Sequence, residues 1–116
     1  MKSIIYFVSE DWYFCSHRLP IARKALADGF KVVVITRINK HGDIIKSEGF
    51  ELEPIEIKRG GVNLVSEFKT LFALYSCYKK YNPDIAHHVA LKPVIYGTLV
   101  ARFIGSIKIV NAMAGL

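Results

Sequence analysis

Short apolar segments rich in β-branched and aromatic residues alternate with helical patterns along the chain, and this alternation constrains the fold more than any other feature. Continuous apolar runs of this length are typical of strands that are buried on both faces. The predicted strands cover residues 3–8, 31–36, 50–57, 84–88 and 107–111. Strands that alternate with helices over short connections indicate βαβ units. We therefore predict an α/β fold with one parallel sheet in the order 3-2-1-4-5 and helices on both faces.

The connecting segments carry helix signals. The predicted helices cover residues 16–29, 41–49, 64–81 and 94–103. Ser16 is a suitable N-cap for the first helix, which leaves residues 9–15 as a loop. Pro54 lies within the third strand, and since proline cannot donate a ladder hydrogen bond, this strand is expected at an edge of the sheet.

Composition excludes several classes of protein. With 52% apolar and 22% charged residues, the chain is typical of a globular protein and not of a disordered one. Sixteen Lys and Arg against ten Asp and Glu give a formal net charge of +6, which favours anionic partners, although the basic residues are spread along the chain. Cys15 and Cys77 match no metal or redox spacing and fit a reducing compartment. No apolar run is long enough for a signal peptide or a spanning helix, which indicates a cytoplasmic protein.

A ligand crevice is expected at the carboxyl ends of the first and fourth strands, where the order of a doubly wound sheet reverses. After the first strand, His17 and Arg18 fall on the first turn of the predicted helix. The N–H groups of a helix N-terminus attract anions, and an adjacent arginine strengthens this for phosphate or carboxylate. The alternative is that both side chains only pack or solvate that turn.

After the fourth strand, two histidines and a lysine stand close in sequence. His87 and His88 are neighbours on a strand and point to opposite faces, so they cannot both ligate one metal ion. One is expected to pack inside the domain, while His88 at the strand end is expected to enter the crevice. Lys92 at a helix entrance suits a phosphate or carboxylate. The alternative is a buried histidine beside a solvated lysine.

Phosphate-loop glycines are absent from the expected positions. No GxGxxG follows the first strand and no GxxxxGK[ST] occurs, which disfavours a dinucleotide-binding dehydrogenase or a P-loop NTPase. Glu10 and Asp11 stand there instead, either as a carboxylate pair or as solvated loop acids. Trp12 and Tyr13 beside them are suited to stack on a sugar or to line an apolar lipid groove.

Three motifs then occur in order beside the predicted strands. They are Ser-His-Arg-Leu-Pro-Ile-Ala at 16–22, His88 with Lys92-Pro93 and Tyr96-Gly97, and Asn-Ala-Met-Ala-Gly-Leu at 111–116. Together they resemble the N-terminal domain of bacterial family-4 glycosyltransferases with the GT-B fold, above all those that build lipopolysaccharide, capsule and lipid-linked glycans. The resemblance covers the whole chain in register.

This resemblance implies an enzyme of two Rossmann-like domains. Residues 1–116 would be the N-terminal, acceptor-binding domain, truncated here. A missing C-terminal domain would hold the nucleotide-diphosphate sugar. The implied reaction is retaining hexosyl transfer to a polyprenyl-linked or other glycan acceptor, without metal, other cofactor or nucleic acid. The implied location is the cytoplasm, with peripheral contact on the inner face of the cell membrane, and the isolated chain is expected to be inactive.

The resemblance also implies roles for individual residues. Arg18 would contact phosphate, and His88 and Lys92 would line the acceptor side together with Trp12 and Ser16. Many members of the family carry a histidine or a glutamate at the end of strand five, where this chain has Ala114. The catalytic residue is therefore left unknown, with His17 and His88 as candidates.

Two other readings remain open. The chain is also compatible with a non-catalytic split subunit or stand-alone binding module that pairs with a separate donor domain. A flavodoxin-like nucleotide binder is the third reading, and it would bind flavin visibly.

Overall fold

A computed structural model describes residues 2–57 and 63–113, and its five strands form one parallel sheet in the order β3-β2-β1-β4-β5. The strands are β1 (Ser3–Glu10), β2 (Lys31–Arg37), β3 (Glu51–Pro54), β4 (Ile85–Val89) and β5 (Lys108–Ala112). The predicted α/β class and strand order are confirmed. The edge position predicted for the third strand is also confirmed, since β3 pairs with β2 alone.

Helices cover both faces of the sheet. They are α1 (Asp11–Tyr13), a π-helical segment (Phe14–Arg18), α2 (Leu19–Ala27), α3 (Gly42–Ser47), α4 (Leu64–Tyr81) and α5 (Leu91–Ile104). The π-helical segment, α2 and α3 pack on one face, and α4 and α5 pack on the other. Alternate residues of β1 enter the two cores, with Ile4, Tyr6 and Val8 in the first and Ile5 and Phe7 in the second. This two-sided burial explains why β1 reads as an unbroken apolar run.

The segment that follows β1 differs from the prediction. Residues 11–18 are helical and not a loop, and Ser16 lies inside the π-helical segment, so it caps no helix. The cause is tertiary packing: Phe14 is fully buried and sits edge-on to Tyr6 and Phe50. That anchor holds the chain helical directly from the strand end. α2 then begins at Leu19, with its proline in the first turn, where a missing N–H leaves no helical bond unmade.

Two further boundaries move by three residues. β3 ends at Pro54, three residues before the predicted end at 57, and α5 begins at Leu91, three residues before the predicted start at 94. The earlier start of α5 follows from a sharp turn at Ala90, which has φ +83° and ψ 166°. The turn is held by two backbone bonds: the Ala90 N–H donates to the Ala112 carbonyl, and the Val94 N–H donates to the Ala90 carbonyl, both at 3.0 Å.

Candidate functional site

The carboxyl edge of the sheet brings together the two segments that the sequence singled out. β1 runs directly into α1 and the π-helical segment, and β4 turns through Ala90 into α5. Ala90 is one of two described non-glycine residues with positive φ, in a region that other residues rarely occupy. The strained turn places the first turn of α5 at the carboxyl edge of the sheet.

Asp11 is a buried structural carboxylate at this edge. Its side chain is fully buried and accepts hydrogen bonds from the backbone N–H groups of Trp12, Asn39 and His41, each at 2.8 Å. Such bonds offset the cost of removing a carboxylate from water. The expectation of a solvated loop acid is wrong for Asp11. It ties the end of β1 to the connection between β2 and α3.

An aromatic surface lies on the solvent side of the same segment. Tyr13 and His17 stack in parallel, with ring centroids 4.1 Å apart and an interplanar angle of 9°. Trp12 lies edge-on to Tyr13 at 5.7 Å and is 46% exposed, and Ser16 and His17 are exposed beside it. Exposed aromatic rings with a polar tip suit one face of a sugar ring.

Arg18 and His87 each have a buried side-chain nitrogen, and the charge of Arg18 acts on His87. The Arg18 Nη1 donates to the His17 carbonyl at 3.3 Å, while the Arg18 Nε is buried with no hydrogen-bond partner in the described part of the chain. The buried Nε2 of His87 likewise has none there, and the His87 ring lies 5.3 Å from Tyr6. Burial and, secondly, the Arg18 charge lower the pKa of His87, which favours the neutral imidazole. Buried side-chain nitrogens without a partner are uncommon.

His87 is the residue that sequence reasoning missed. It pairs in register with Tyr6 on β1, so its side chain shares the face that the π-helical segment covers. Strand alternation shows that two adjacent histidines diverge, but not which of them meets which face. That choice depends on how β4 pairs with β1.

His88 does not line the crevice, which corrects the expectation from the sequence. It is fully buried, its Nδ1 lies 2.8 Å from the Asn111 Oδ1, and its Nε2 lies 2.7 Å from the Tyr78 hydroxyl. Because the amide oxygen can only accept, Nδ1–H donates to Asn111 and Nε2 accepts from Tyr78. Burial lowers the pKa of His88 to about 4, so it is neutral at physiological pH. Gly97 packs against this ring, where the Cβ of any other residue would overlap it.

Lys92 lies on the first turn of α5 and is already engaged. Its Nζ is 3.4 Å from one oxygen of Glu67 on α4, and the Tyr96 hydroxyl donates to the other oxygen. The Lys92 side chain is 32% exposed. Its charge therefore helps join α4 to α5 while remaining within reach of the crevice edge.

The arrangement can bind and orient an anionic or sugar-bearing ligand. Arg18 supplies a fixed positive charge, and Trp12, Tyr13 and His17 supply stacking surface. Among residues 2–57 and 63–113, no three His, Cys, Asp or Glu side chains come together as metal ligands would. Ala114, the position at which the resemblance implies a histidine or a glutamate, lies outside the described residues. No helix within the described residues is long and apolar enough to span a membrane.

Known structures share this fold. MurG of Acinetobacter baumannii superposes with a TM-score of 0.76 at 18% identity, covering 100% of this chain and 37% of MurG. CalG4, the calicheamicin glycosyltransferase, superposes with a TM-score of 0.70 at 16% identity, covering 100% of this chain and 33% of CalG4. The UDP-GlcNAc 2-epimerase of Neisseria meningitidis superposes with a TM-score of 0.66 at 14% identity, covering 100% of this chain and 33% of the epimerase. The chain thus spans about a third of each of these proteins.

At such identities the likeness establishes the fold alone, and the epimerase shows that the fold serves more than one reaction. The five-stranded parallel sheet corresponds to one half of a GT-B fold, as predicted. No curated protein matches the sequence significantly. A family model described as glycosyl transferase 4-like, however, matches residues 3–116. Because that match covers nearly the entire sequence, the chain belongs to the glycosyl transferase 4-like family.

Proposed function

We propose that this chain is the acceptor-side domain of a retaining glycosyltransferase. The enzyme would transfer a hexose from a nucleotide-diphosphate sugar to a glycan acceptor, polyprenyl-linked in the favoured case, in the synthesis of lipopolysaccharide, capsule or related surface polysaccharides. The observation that carries this proposal is the family match over residues 3–116. A donor-binding domain outside this sequence and a peripheral position at the inner membrane face belong to the same proposal, as does a reaction without metal or other cofactor.

The geometry of the crevice supports an acceptor role. The half-buried Arg18 guanidinium carries a positive charge at this edge, so it can attract a diphosphate through a charge-assisted contact. The exposed Trp12 and the stacked Tyr13–His17 pair can hold the sugar that such a phosphate carries. Lys92 adds a second cation at the edge, at the expense of sharing it with Glu67.

The chemical contribution of this domain would be positioning and charge stabilisation. Holding an acceptor hydroxyl beside the anomeric carbon of the donor sugar, on the face from which the diphosphate departs, accelerates transfer by converting an encounter into a bound geometry. A fixed cation near the departing diphosphate stabilises the negative charge that develops on it. Of the two histidines considered as catalytic, His17 is exposed and His88 is fully buried, so His17 is the one we retain.

The test is sugar transfer by the native protein, purified from its own cells. Candidate nucleotide-diphosphate sugars are supplied with a short-chain prenyl-diphosphate sugar as acceptor. Arg18→Ala should lower kcat/KM by about 10-fold or more, because it removes a charge-assisted contact. Arg23→Ala is the matched control: Arg23 lies five positions further along, in α2, and is paired with Glu48 at 2.5 Å. No transfer from any donor, or equal effects of the two variants, would refute the proposal.

The intact mass of the same preparation distinguishes a two-domain enzyme from a split subunit. A product much longer than 116 residues supports a two-domain enzyme. A short product that co-purifies with a separate donor-binding chain supports the split-subunit reading. A yellow preparation with a flavin spectrum would favour the nucleotide binder instead.

A further inference from the structure

The imidazole of His41 lies at the carboxyl edge of the sheet and has no role in the site described above. His41 follows β2, as Trp12 follows β1, and these two strands pair in parallel up to their last residues. The connections that leave them are therefore neighbours at one edge of the sheet. Asp11 joins the two connections, because its carboxylate accepts the Trp12 N–H at Oδ1 and the His41 N–H at Oδ2.

The same carboxylate has one hydrogen-bonding position left, and the His41 imidazole lies beside it. A carboxylate offers about four acceptor positions, two on each oxygen. In Asp11 the N–H groups of Asn39 and His41 fill both positions on Oδ2, whereas the Trp12 N–H fills only one on Oδ1. The His41 Nδ1 lies 3.8 Å from that Oδ1. This nitrogen is buried and has no hydrogen-bond partner in the described part of the chain.

This geometry selects one tautomer of the neutral imidazole. A carboxylate accepts hydrogen bonds and donates none, so the ring nitrogen that lies beside it, Nδ1, carries the proton. The second ring nitrogen, Nε2, then keeps its lone pair. The His41 side chain is 35% exposed, and Nδ1 is the one of its two ring nitrogens that is buried without a partner. Nε2 is therefore open to solvent as an oriented hydrogen-bond acceptor.

An exposed aromatic residue is the neighbour of this imidazole. The Trp12 N–H donates to Asp11 Oδ1, the same oxygen that lies 3.8 Å from the His41 Nδ1. The Trp12 side chain is 46% exposed. A sugar that stacks on an aromatic ring keeps its hydroxyl groups at the rim, where they need hydrogen-bond partners. An oriented nitrogen lone pair beside the ring is such a partner.

We propose that His41 is a further sugar-binding residue, whose Nε2 accepts a hydrogen bond from a hydroxyl of the sugar that Trp12 holds. Asp11 is the positioning residue that orients the imidazole. This inference rests on the proposed function and extends it, because it separates recognition of the sugar from recognition of the diphosphate. A phosphate oxygen is itself an acceptor, so it makes no hydrogen bond to the Nε2 lone pair. The diphosphate is left to Arg18.

The alternative is that His41 serves the fold alone. Its carbonyl accepts the Ile45 N–H at 3.1 Å at the start of α3, and its own N–H is bound by Asp11. Both contacts use main-chain atoms, which any residue at this position supplies. They do not account for an imidazole, which makes no side-chain hydrogen bond within the described residues.

The test is isothermal titration calorimetry of the purified chain with two kinds of probe. Farnesyl diphosphate presents the phosphates alone, and farnesyl diphosphate linked to glucose, galactose or N-acetylglucosamine adds a sugar. His41→Asn keeps an amide donor near the position of Nδ1 and removes Nε2. The affinity for the sugar-bearing probe that binds best should then fall by about 10-fold, as expected for one lost hydrogen bond. The affinity for farnesyl diphosphate should stay unchanged, which also shows that the variant is folded.

Two further variants separate a sugar contact from a structural role. His41→Gln places an amide oxygen near the position of Nε2, so it should bind the sugar-bearing probe within about 3-fold of the unchanged chain. Arg18→Ala should weaken both kinds of probe alike, by about 10-fold, because it removes a contact to the diphosphate that they share.

Several results would overturn the inference. They are equal affinity of the unchanged chain for farnesyl diphosphate with and without a sugar, no loss in His41→Asn, a loss that is the same for both kinds of probe, and a loss that His41→Gln does not recover. Absence of binding by every probe would overturn the inference and the acceptor role together.

The sugar-transfer assay distinguishes this inference from the proposed function. Transfer by the native protein, combined with unchanged sugar binding in His41→Asn, overturns only the sugar contact of His41. A loss in His41→Asn that is confined to the sugar-bearing probe, without transfer from any donor, leaves that contact standing and contradicts the enzymatic proposal.

Discussion

Tyr78→Phe is the sharpest test of the buried hydrogen bonds behind the crevice. The substitution keeps the ring and removes only the hydroxyl that donates to the Nε2 of His88 at 2.7 Å. Both residues are fully buried, so the Nε2 is left without an accessible replacement partner. A buried acceptor left unsatisfied costs about 1–3 kcal/mol. We expect a loss of about 2 kcal/mol in the free energy of unfolding.

The assay is urea denaturation followed by circular dichroism. With a slope of roughly 2 kcal/mol per M, the midpoint should fall by about 1 M while the slope stays unchanged. Tyr75→Phe is the control, because Tyr75 lies one turn earlier on α4 and its hydroxyl makes no hydrogen bond within residues 2–57 and 63–113. It should stay within about 0.5 kcal/mol of the unchanged chain. Equal losses in the two variants, or none in Tyr78→Phe, would show that the bond to His88 is not formed.

Three further predictions concern the same edge of the sheet. Burial lowers the pKa of His88 from 6.5 to about 4, so the unfolded chain binds the proton at a higher pH than the folded chain does. The free energy of unfolding should therefore fall as the pH drops from about 6.5 to about 4. His88→Gln should flatten that part of the profile of stability against pH. Gly97→Ala should lower the free energy of unfolding by about 2 kcal/mol or more in urea denaturation, because the new Cβ overlaps the His88 ring. This loss is expected although alanine has the better helix propensity. An unchanged stability would contradict the close packing of Gly97 on His88. Asp11→Ala should lower the free energy of unfolding by about 3 kcal/mol or more in the same assay, because it leaves buried backbone N–H groups without an acceptor. The control Asp28→Ala removes an exposed ion pair with Lys24 and should cost under about 1 kcal/mol. Similar losses in the two variants would refute the structural role of Asp11.

The sheet could be predicted because its signals are local. The central strands β1 and β2 are short runs rich in β-branched residues, and the alternation with helices leaves few allowed connections. Pro54 even indicated which strand lies at an edge. These features depend on composition and spacing, which the sequence displays directly.

The candidate site was harder to predict from the sequence, because its geometry depends on contacts between distant segments. The helical course of residues 11–18 follows from Phe14 packing on Tyr6 and Phe50, which no local propensity shows. The inward position of His88 and the placement of His87 beside Arg18 depend on the register of β4 against β1. The acidic residue just after a buried strand, Asp11, was a local signal of a buried, hydrogen-bonded carboxylate.

Family membership constrains the reaction more than the fold does. The same half-fold occurs in glycosyltransferases and in an epimerase, so the sheet alone does not choose between them. What distinguishes an acceptor site is whether a sugar linked to a phosphate binds at the segment after β1, between Trp12 and Arg18.

Trp12 makes that claim directly measurable. It is the only tryptophan of the chain and is 46% exposed at the crevice edge, so its fluorescence reports on this one location. Titration with a short-chain prenyl-diphosphate sugar should give a saturable change in Trp12 emission that is weakened about 10-fold in Arg18→Ala and retained in Arg23→Ala. An emission that stays constant throughout the titration, or a change that Arg18→Ala leaves intact, would contradict the assignment of this crevice as the acceptor site.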